Sequence, residues 1–84
     1  MKKYTCIYYT TFSGKVLVEE FIESLAEETQ DAFFYKTELL EEHGPQLRKP
    51  HTDHIEDGIF ELRFMGKEGG IRILFFFFQG NYFF

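Results

Sequence analysis

The sequence predicts an α+β domain in which a hairpin of two helices packs on one face of a small, antiparallel-rich sheet. Two observations support this fold class. The first half of the 84-residue chain has apolar residues at the spacing of amphipathic helices. The second half has runs of branched and aromatic residues separated by glycine-containing turns, a pattern typical of strands and hairpins. We expect the order β-α-α-(β)-β-β-β in a single domain that spans residues 1–84.

The N-terminal half is expected to hold one strand and both helices. Residues 3–10 are rich in tyrosine and β-branched residues and form the first predicted strand. Ser13 is the predicted N-cap of the first helix, and Thr29 is the predicted cap of the second. The second helix ends at His43-Gly44-Pro45, because glycine suits the position past the last turn and proline cannot continue a helix. The apolar stripe of the first helix comprises Val16, Phe21, Ile22 and Leu25.

The C-terminal half is expected to form three consecutive strands. Residues 46–58 are interpreted as a loop with a short strand. The three strands are predicted at Ile59–Met65, Ile71–Phe78 and Asn81–Phe84, with a Gln79-Gly80 turn before the last. Because Ile71–Phe78 is the longest apolar run, it is predicted to be the buried central strand.

Two arginines flank the glycine-rich turn of the predicted hairpin. If the turn is symmetric about Lys67 and Glu68, Arg63 lies directly opposite Arg72 on the same face. Like charges in that arrangement destabilise the strand pair unless an anion lies between them, and the guanidinium fork suits phosphate oxygens. Two alternatives stay open. In the first, both arginines are ordinary solvent-facing strand residues that Glu61 or Glu68 neutralises. In the second, a register slip of one residue places the two arginines on opposite faces of the sheet.

The charge distribution is uneven. The formal net charge is −5, with nine acidic and four basic residues in 1–44 and five of each in 45–84. Nucleic-acid binders usually carry a basic patch, so the overall charge argues against one, whereas a local positive face on the strand half remains compatible with the sequence. The five acidic residues between Glu19 and Glu28 are interpreted as a solvated helix face or a surface for a basic partner.

Several features predict a soluble, cytoplasmic protein without membrane association. The stretch after the two N-terminal lysines is too polar for a signal peptide, and the run Ile71–Phe78 is too short to span a bilayer. The single cysteine, Cys6, cannot form an internal disulfide and is interpreted as a small buried hydrophobe. The final aromatic strand presents an edge that favours pairing with other chains. Either a partner covers this edge or a C-terminal piece is missing, and self-association through it is a further hypothesis.

Histidine and tyrosine side chains are the remaining candidates for chemistry. A metal site built from His51, His54 and Asp53 is conceivable, but no second Cys/His cluster supports it, so neither metal nor cofactor is predicted. The histidines are then exposed loop residues or a general base. Tyr82 either donates a proton or stacks on a base, or it fills the core or edge of the sheet. Lys67, Tyr82 and His54 are predicted as substrate-binding residues.

The ordered set of motifs resembles the RelE/ParE superfamily of bacterial toxins, and most closely its HigB-type, phage-derived branch. The matching segments are Phe21–Leu25, Leu39–Pro45, Asp57–Arg63 and Gly70–Phe76. The resemblance implies that the first strand lies beside the meander of the last three. Glu61 stands where the ribosome-dependent toxins carry a lysine, Ile71 stands where an aromatic residue often precedes the arginine, and no basic segment follows the last strand.

The resemblance also implies a function. It predicts the toxin of a type II toxin-antitoxin system that cleaves mRNA on the ribosome without a metal and is held inactive by an antitoxin with a helix-turn-helix domain. Arg72 matches the arginine that stabilises the phosphate, and Arg63 matches a second strand arginine that positions the RNA backbone. The alternative is a non-catalytic, ParE-like or decayed toxin that acts only by binding DNA gyrase or its cognate antitoxin.

Overall fold

A computed structural model describes residues 2–84 and shows two helices packed on a five-stranded mixed sheet. The α+β fold class and the predicted order of elements are therefore confirmed. The elements are β1 (Thr5–Ile7), α1 (Leu17–Glu23), α2 (Glu27–His43), a 3₁₀ turn (Gly44–Gln46), β2 (Thr52–Glu56), β3 (Ile59–Gly66), β4 (Gly69–Phe78) and β5 (Asn81–Phe83).

The strands lie in the order β1-β5-β4-β3-β2. β2 to β5 form an antiparallel meander, and β1 joins its edge by pairing parallel to β5. β4 is thus the central strand, as predicted, but only alternate residues of it are buried. Gln79 and Gly80 both have positive φ, which is the conformation of the tight hairpin turn that joins β4 to β5.

The core lies between the helices and one face of the sheet, which we call the inner face. Leu62 and Phe64 of β3 and Ile73 of β4 are buried there beneath α2. From α2, Phe33 packs with its ring centroid 5.7 Å from that of Phe64, and Leu40 is equally buried. Burying each such side chain contributes about 1.5–3 kcal/mol. Strand alternation then places Arg63 and Arg72 on the opposite, outer face.

Both predicted helix caps are wrong. α1 begins after Val16 without a side-chain cap, and the Ser13 hydroxyl lies 3.1 Å from that of Thr11 in the preceding turn. α2 begins after Ala26, so Thr29 lies inside its first turn and is fully buried. The Thr29 hydroxyl has tertiary partners instead, because it donates to a Glu68 carboxylate oxygen at 2.7 Å.

Glu68, in the β3–β4 turn, supplies the cap that α2 lacks. The Ala26 N–H donates to its second carboxylate oxygen at 2.8 Å, and the Lys67 N–H donates to the Thr29 hydroxyl at 3.2 Å. The bonds from Ala26 and Thr29 lower the pKa of Glu68, since they favour its ionised form. Gly66 completes the junction, because a Cβ there would overlap the Thr29 side chain. The turn is thereby fixed to the start of α2.

Cys6 lies half-buried in β1, in agreement with its interpretation as a small core residue. Burial raises the pKa of its thiol to about 12, and the sulfur lies 3.6 Å from the Thr37 carbonyl oxygen. Its backbone N–H donates to Glu41 of α2 at 2.8 Å, which holds β1 against the helix. None of the helices within residues 2–84 has the length and apolar character needed to cross a membrane.

Candidate anion site and aromatic cleft

Arg63 and Arg72 are directly opposite each other in the β3–β4 pair, as the symmetric turn predicts. The Arg63 N–H donates to the His51 carbonyl at 2.9 Å, so the backbone of Arg63 faces β2. By alternation the neighbouring residues, Leu62 and Phe64, direct their backbone groups to β4. The two arginines therefore form a non-hydrogen-bonded pair, in which opposed Cβ atoms lie about 4.5–5.5 Å apart.

The two arginines differ in their surroundings. Arg63 is half-buried, and its Nε lies 3.6 Å from a carboxylate oxygen of Glu61 on the same strand and face. Arg72 is exposed and has no ion pair within the described part of the chain. Glu68, the other acid predicted as a possible neutralising partner, instead accepts a hydrogen bond from the Ala26 N–H at the start of α2. Glu61 thus pairs with only one of the two guanidinium groups, and the positive charge of Arg72 is not neutralised by an ion pair within the described residues.

Glu61 is a member of this site that the sequence analysis did not propose as functional. Only 8 % of its surface is exposed. The sequence does indicate its place beside Arg63, because Glu61 lies two residues earlier and residues i and i+2 of a strand share a face. A carboxylate beside two guanidinium groups combines a proton acceptor with cations that bind oxyanions.

A second pair of like charges stabilises the first. Asp53 of β2 lies opposite Glu61, one step along the ladder from the arginine pair. Diagonal neighbours on one face are about 7–8 Å apart, close enough for the acids to offset part of the repulsion between the arginines. Lys49 in turn lies 3.6 Å from Asp53. The acidic pair therefore offsets part of the repulsion within the arginine pair.

The remaining predicted substrate contacts lie elsewhere. Lys67 is at the tip of the β3–β4 turn, where its Nζ is 3.7 Å from a Glu28 carboxylate oxygen and both side chains are exposed. Tyr82 and His54 lie on the inner face and line the same cleft, which has a volume of about 750 Å³. The cleft opens between the 3₁₀ turn that follows α2 and the far end of the sheet, and its lining includes Phe60, Phe75, Phe77, Arg48 and Lys49.

Tyr82 is an aromatic wall of this cleft. It is 4 % exposed, and its ring centroid lies 4.9 Å from that of Phe77 and 5.6 Å from that of Phe75. Burial raises the pKa of its hydroxyl to about 12, so the group keeps its proton at neutral pH. His54 is exposed, and its ring packs edge-on against Phe60 at 5.1 Å.

A family profile described as phage derived protein Gp49-like (DUF891) matches residues 20–84. The chain belongs to the Gp49-like family. The match begins within α1 and includes both arginines, Glu61 and the whole cleft. No curated protein and no solved structure matches the chain.

In this Gp49-like domain the predicted site residues fall into two groups on opposite faces of the sheet. Arg63 and Arg72 share the outer face with Glu61, whereas Tyr82 and His54 share the cleft on the inner face. Because the sheet separates them, the two groups do not form one site. Lys67 belongs to the arginine hairpin but lies at its turn.

The histidine cluster considered from sequence is not assembled. Among residues 2–84 no three His, Cys, Asp or Glu side chains come together as a metal site. His51 contacts Lys36 instead, with Nδ1 2.6 Å from Nζ. Burial, together with the charge of Lys36, lowers the pKa of His51, and burial lowers that of Lys36. The neutral imidazole accepts a hydrogen bond from the ammonium group.

Proposed function

We propose that the chain is the toxin of a type II toxin-antitoxin system and acts as a metal-independent mRNA endoribonuclease. The observation that carries this proposal is the register of Arg63 opposite Arg72 on an open sheet face, next to Glu61. Membership of a phage-derived family and the resemblance to RelE/HigB toxins support it. The proposed setting is cytoplasmic, with mRNA on the ribosome as substrate and a helix-turn-helix antitoxin as partner.

The proposed chemistry assigns one role to each member of the site. Arg72, exposed and without an acidic partner among the described residues, binds the non-bridging oxygens of the scissile phosphate. Arg63 is held by Glu61 and orients the RNA backbone. Glu61 accepts the proton of the 2′-hydroxyl as that oxygen attacks phosphorus. The bond to the 5′-oxygen then breaks, a 2′,3′-cyclic phosphate forms, and the leaving oxygen takes a proton from solvent.

Charge supports the assignment of Arg72 as the principal group. In the transition state the equatorial oxygens carry more negative charge than in the ground state, so a preorganised cation stabilises the transition state selectively. Removing one such donor typically slows catalysis by about 10²–10³-fold. The pairing of β4 with β3 fixes the backbone of Arg72, which supports a preorganised role for its guanidinium in this proposal.

The test is expression of the chain under tight control, with growth and mRNA integrity as readouts. We expect growth arrest with fragmented mRNA from the wild type and loss of both from Arg72→Ala. Arg72→Lys retains the charge without the planar fork and is expected to be intermediate. Lys15→Ala is the matched control, because it removes one exposed cation from a loop outside the site. Intact mRNA from the wild type would overturn the nuclease proposal, and fragmentation that persists in Arg72→Ala would overturn the role assigned to Arg72.

A second candidate is a toxin that acts only by binding a protein, such as DNA gyrase or its cognate antitoxin. The observation that favours it is the ion pair between Glu61 and Arg63, which neutralises half of the arginine pair in a chain of net charge −5. Growth arrest with intact mRNA, accompanied by inhibition of gyrase supercoiling by the purified chain, would support this candidate over the nuclease.

A further inference from the structure

The aromatic cleft on the inner face has no role in the proposed ribonuclease. The sheet separates it from the arginine pair, and its walls come from the 3₁₀ turn after α2, the start of β3 and the β4–β5 hairpin. β5 runs away from the cleft, towards the β3–β4 turn at the start of α2. The volume of the cleft, about 750 Å³, lies in the range of sites that bind small molecules.

The walls of the cleft suit a flat apolar group. Phe60 and Phe75 are stacked, with ring centroids 5.6 Å apart and planes at 24°, which gives the cleft an aromatic wall. Phe77 is 43 % exposed although it lies on the inner face, and its ring is tilted against that of Tyr82. Rings in such an arrangement bind another ring by offset stacking and by edge-to-face contact.

One wall of the cleft carries a hydrogen-bond donor without a protein partner. Tyr82 is 4 % exposed, yet no hydrogen bond within residues 2–84 involves its hydroxyl. The hydroxyl oxygen is not completely enclosed, because every fully enclosed side-chain oxygen in this part of the chain has a partner. Since Tyr82 lines the cleft, its O–H is accessible from there. The group keeps its proton at neutral pH and offers it to an acceptor.

The lining of the cleft also carries an unpaired cation. Arg48 and Lys49 both line the cleft and are exposed. Lys49 lies 3.6 Å from Asp53, whose side chain is on the outer face opposite Glu61. Arg48 has no ion pair among residues 2–84. Because Asp53 is the only acid among the described lining residues, the charge of the cleft favours an anion.

We propose that this cleft binds a small aromatic monoanion with a hydrogen-bond acceptor at the end opposite to its charge. The ring of the ligand lies against Phe75 and Phe77. Its acceptor oxygen receives the Tyr82 O–H, and its anionic group lies at Arg48. A nucleobase fits less well, because its several polar edge atoms would face phenylalanine rings and lose their hydrogen bonds to water. The proposed ribonuclease uses none of these residues, so this inference does not rest on it.

The test uses the purified ¹⁵N-labelled chain and three probes built on one ring system. 6-Acetyl-2-naphthoate carries a carbonyl acceptor and a carboxylate at opposite ends. 6-Isopropenyl-2-naphthoate replaces the carbonyl oxygen by a methylene group of similar shape, and 6-acetyl-2-naphthamide removes the charge. NMR titration gives each Kd. The amide signals of Gly58 and Phe77, in the cleft, should shift, whereas that of Gly69, in the β3–β4 turn, should not.

Tyr82→Phe tests the hydrogen bond. The wild type should bind the acetyl probe about three- to tenfold more tightly than the isopropenyl probe, and Tyr82→Phe should bind the two equally. Because the hydroxyl has no protein partner within the described residues, this variant should keep the Tm of the wild type. Equal binding of the two probes by the wild type would overturn the proposal.

Arg48→Ala tests the charge independently of Tyr82. It should weaken binding of the acetyl naphthoate by about two- to fivefold, most at low salt, and leave binding of the naphthamide unchanged. Lys15→Ala is the matched control, because it removes an exposed cation outside the cleft. Equal effects of Arg48→Ala on the charged and neutral probes, or no binding of the naphthoate, would overturn the proposal.

A nucleotide provides the competing outcome. Adenosine 5′-monophosphate should bind more weakly than the acetyl naphthoate, because the aromatic walls leave its base without hydrogen-bond partners. Tighter binding of this nucleotide with shifts at Gly58 and Phe77 would assign the cleft to nucleotides and overturn the proposal. None of these measurements involves RNA cleavage, so failure of the nuclease proposal leaves their results unaffected.

Discussion

The two faces of the β3–β4 hairpin share one backbone but differ in how deeply their side chains are buried. On the inner face Leu62 is completely buried beneath the helices, whereas on the outer face Met65 and Leu74 are 72 % and 56 % exposed. Both faces come from the same strands, because successive side chains point to opposite sides. Along each strand, residues that pack in the core therefore alternate with residues on the face that carries the candidate anion site. Substitutions on the inner face should affect stability, and those on the outer face should affect function.

The largest expected effect is on the inner face. Leu62→Ala should lower the free energy of unfolding by about 2–5 kcal/mol, because a cavity replaces a fully buried side chain. Leu74→Ala makes the same change on the outer face of the adjacent strand and should alter stability by less than about 0.5 kcal/mol. Urea denaturation measures both. Equal losses would contradict the assignment of the two faces.

The junction between the hairpin turn and α2 gives the next largest effect. Gly66→Ala should lower the free energy of unfolding by about 1–3 kcal/mol, because the added methyl group overlaps Thr29. Gly70→Ala is the matched control, since a Cβ there meets only the Met65 sulfur, at 3.6 Å. If thermal denaturation finds the two variants equally stable, the turn is not fixed to α2 as described.

A pH dependence should reveal the cap that Glu68 supplies. Its pKa is lower in the folded chain than in the unfolded chain, so its stabilising contribution is complete above the unfolded pKa and is lost as pH falls through the folded value. Glu68→Gln should therefore melt below the wild type at pH 7, and the difference in Tm should shrink towards pH 3. Glu56→Gln, an exposed acid of β2, is the control. A gap that is independent of pH would exclude a carboxylate cap.

The smallest effect on stability is expected at the arginine pair. Arg72→Ala removes a like-charge contact and should leave stability unchanged or raise it by a few tenths to about 1 kcal/mol. Phosphate should raise the Tm of the wild type more than that of the variant, because the anion binds the folded pair. A variant that is strongly destabilised in low salt would indicate that Arg72 packs as part of the fold.

The hairpin was predictable because its register depends on residues that are close together in the sequence. The symmetric turn fixes Arg63 opposite Arg72, and strand alternation then assigns each side chain to a face. The helix caps were not predictable in this way, because Thr29 finds its partner in Glu68, which lies in a distant turn. The cleft around Tyr82 was missed for the same reason, since the 3₁₀ turn and the end of the sheet form it together.

The parallel pairing of β1 with β5 constrains how the chain reaches this structure. Thr5 lies opposite Asn81, so the first strand finds its partner only in the last. During synthesis the β3–β4 hairpin and the helices emerge with their partners nearby, but β1 must remain unpaired until Asn81–Phe83 has left the ribosome. Contacts so distant in sequence form slowly. Closure of the sheet by β1 is therefore a late step, and until Asn81–Phe83 has emerged the arginine pair lies on an unfinished sheet.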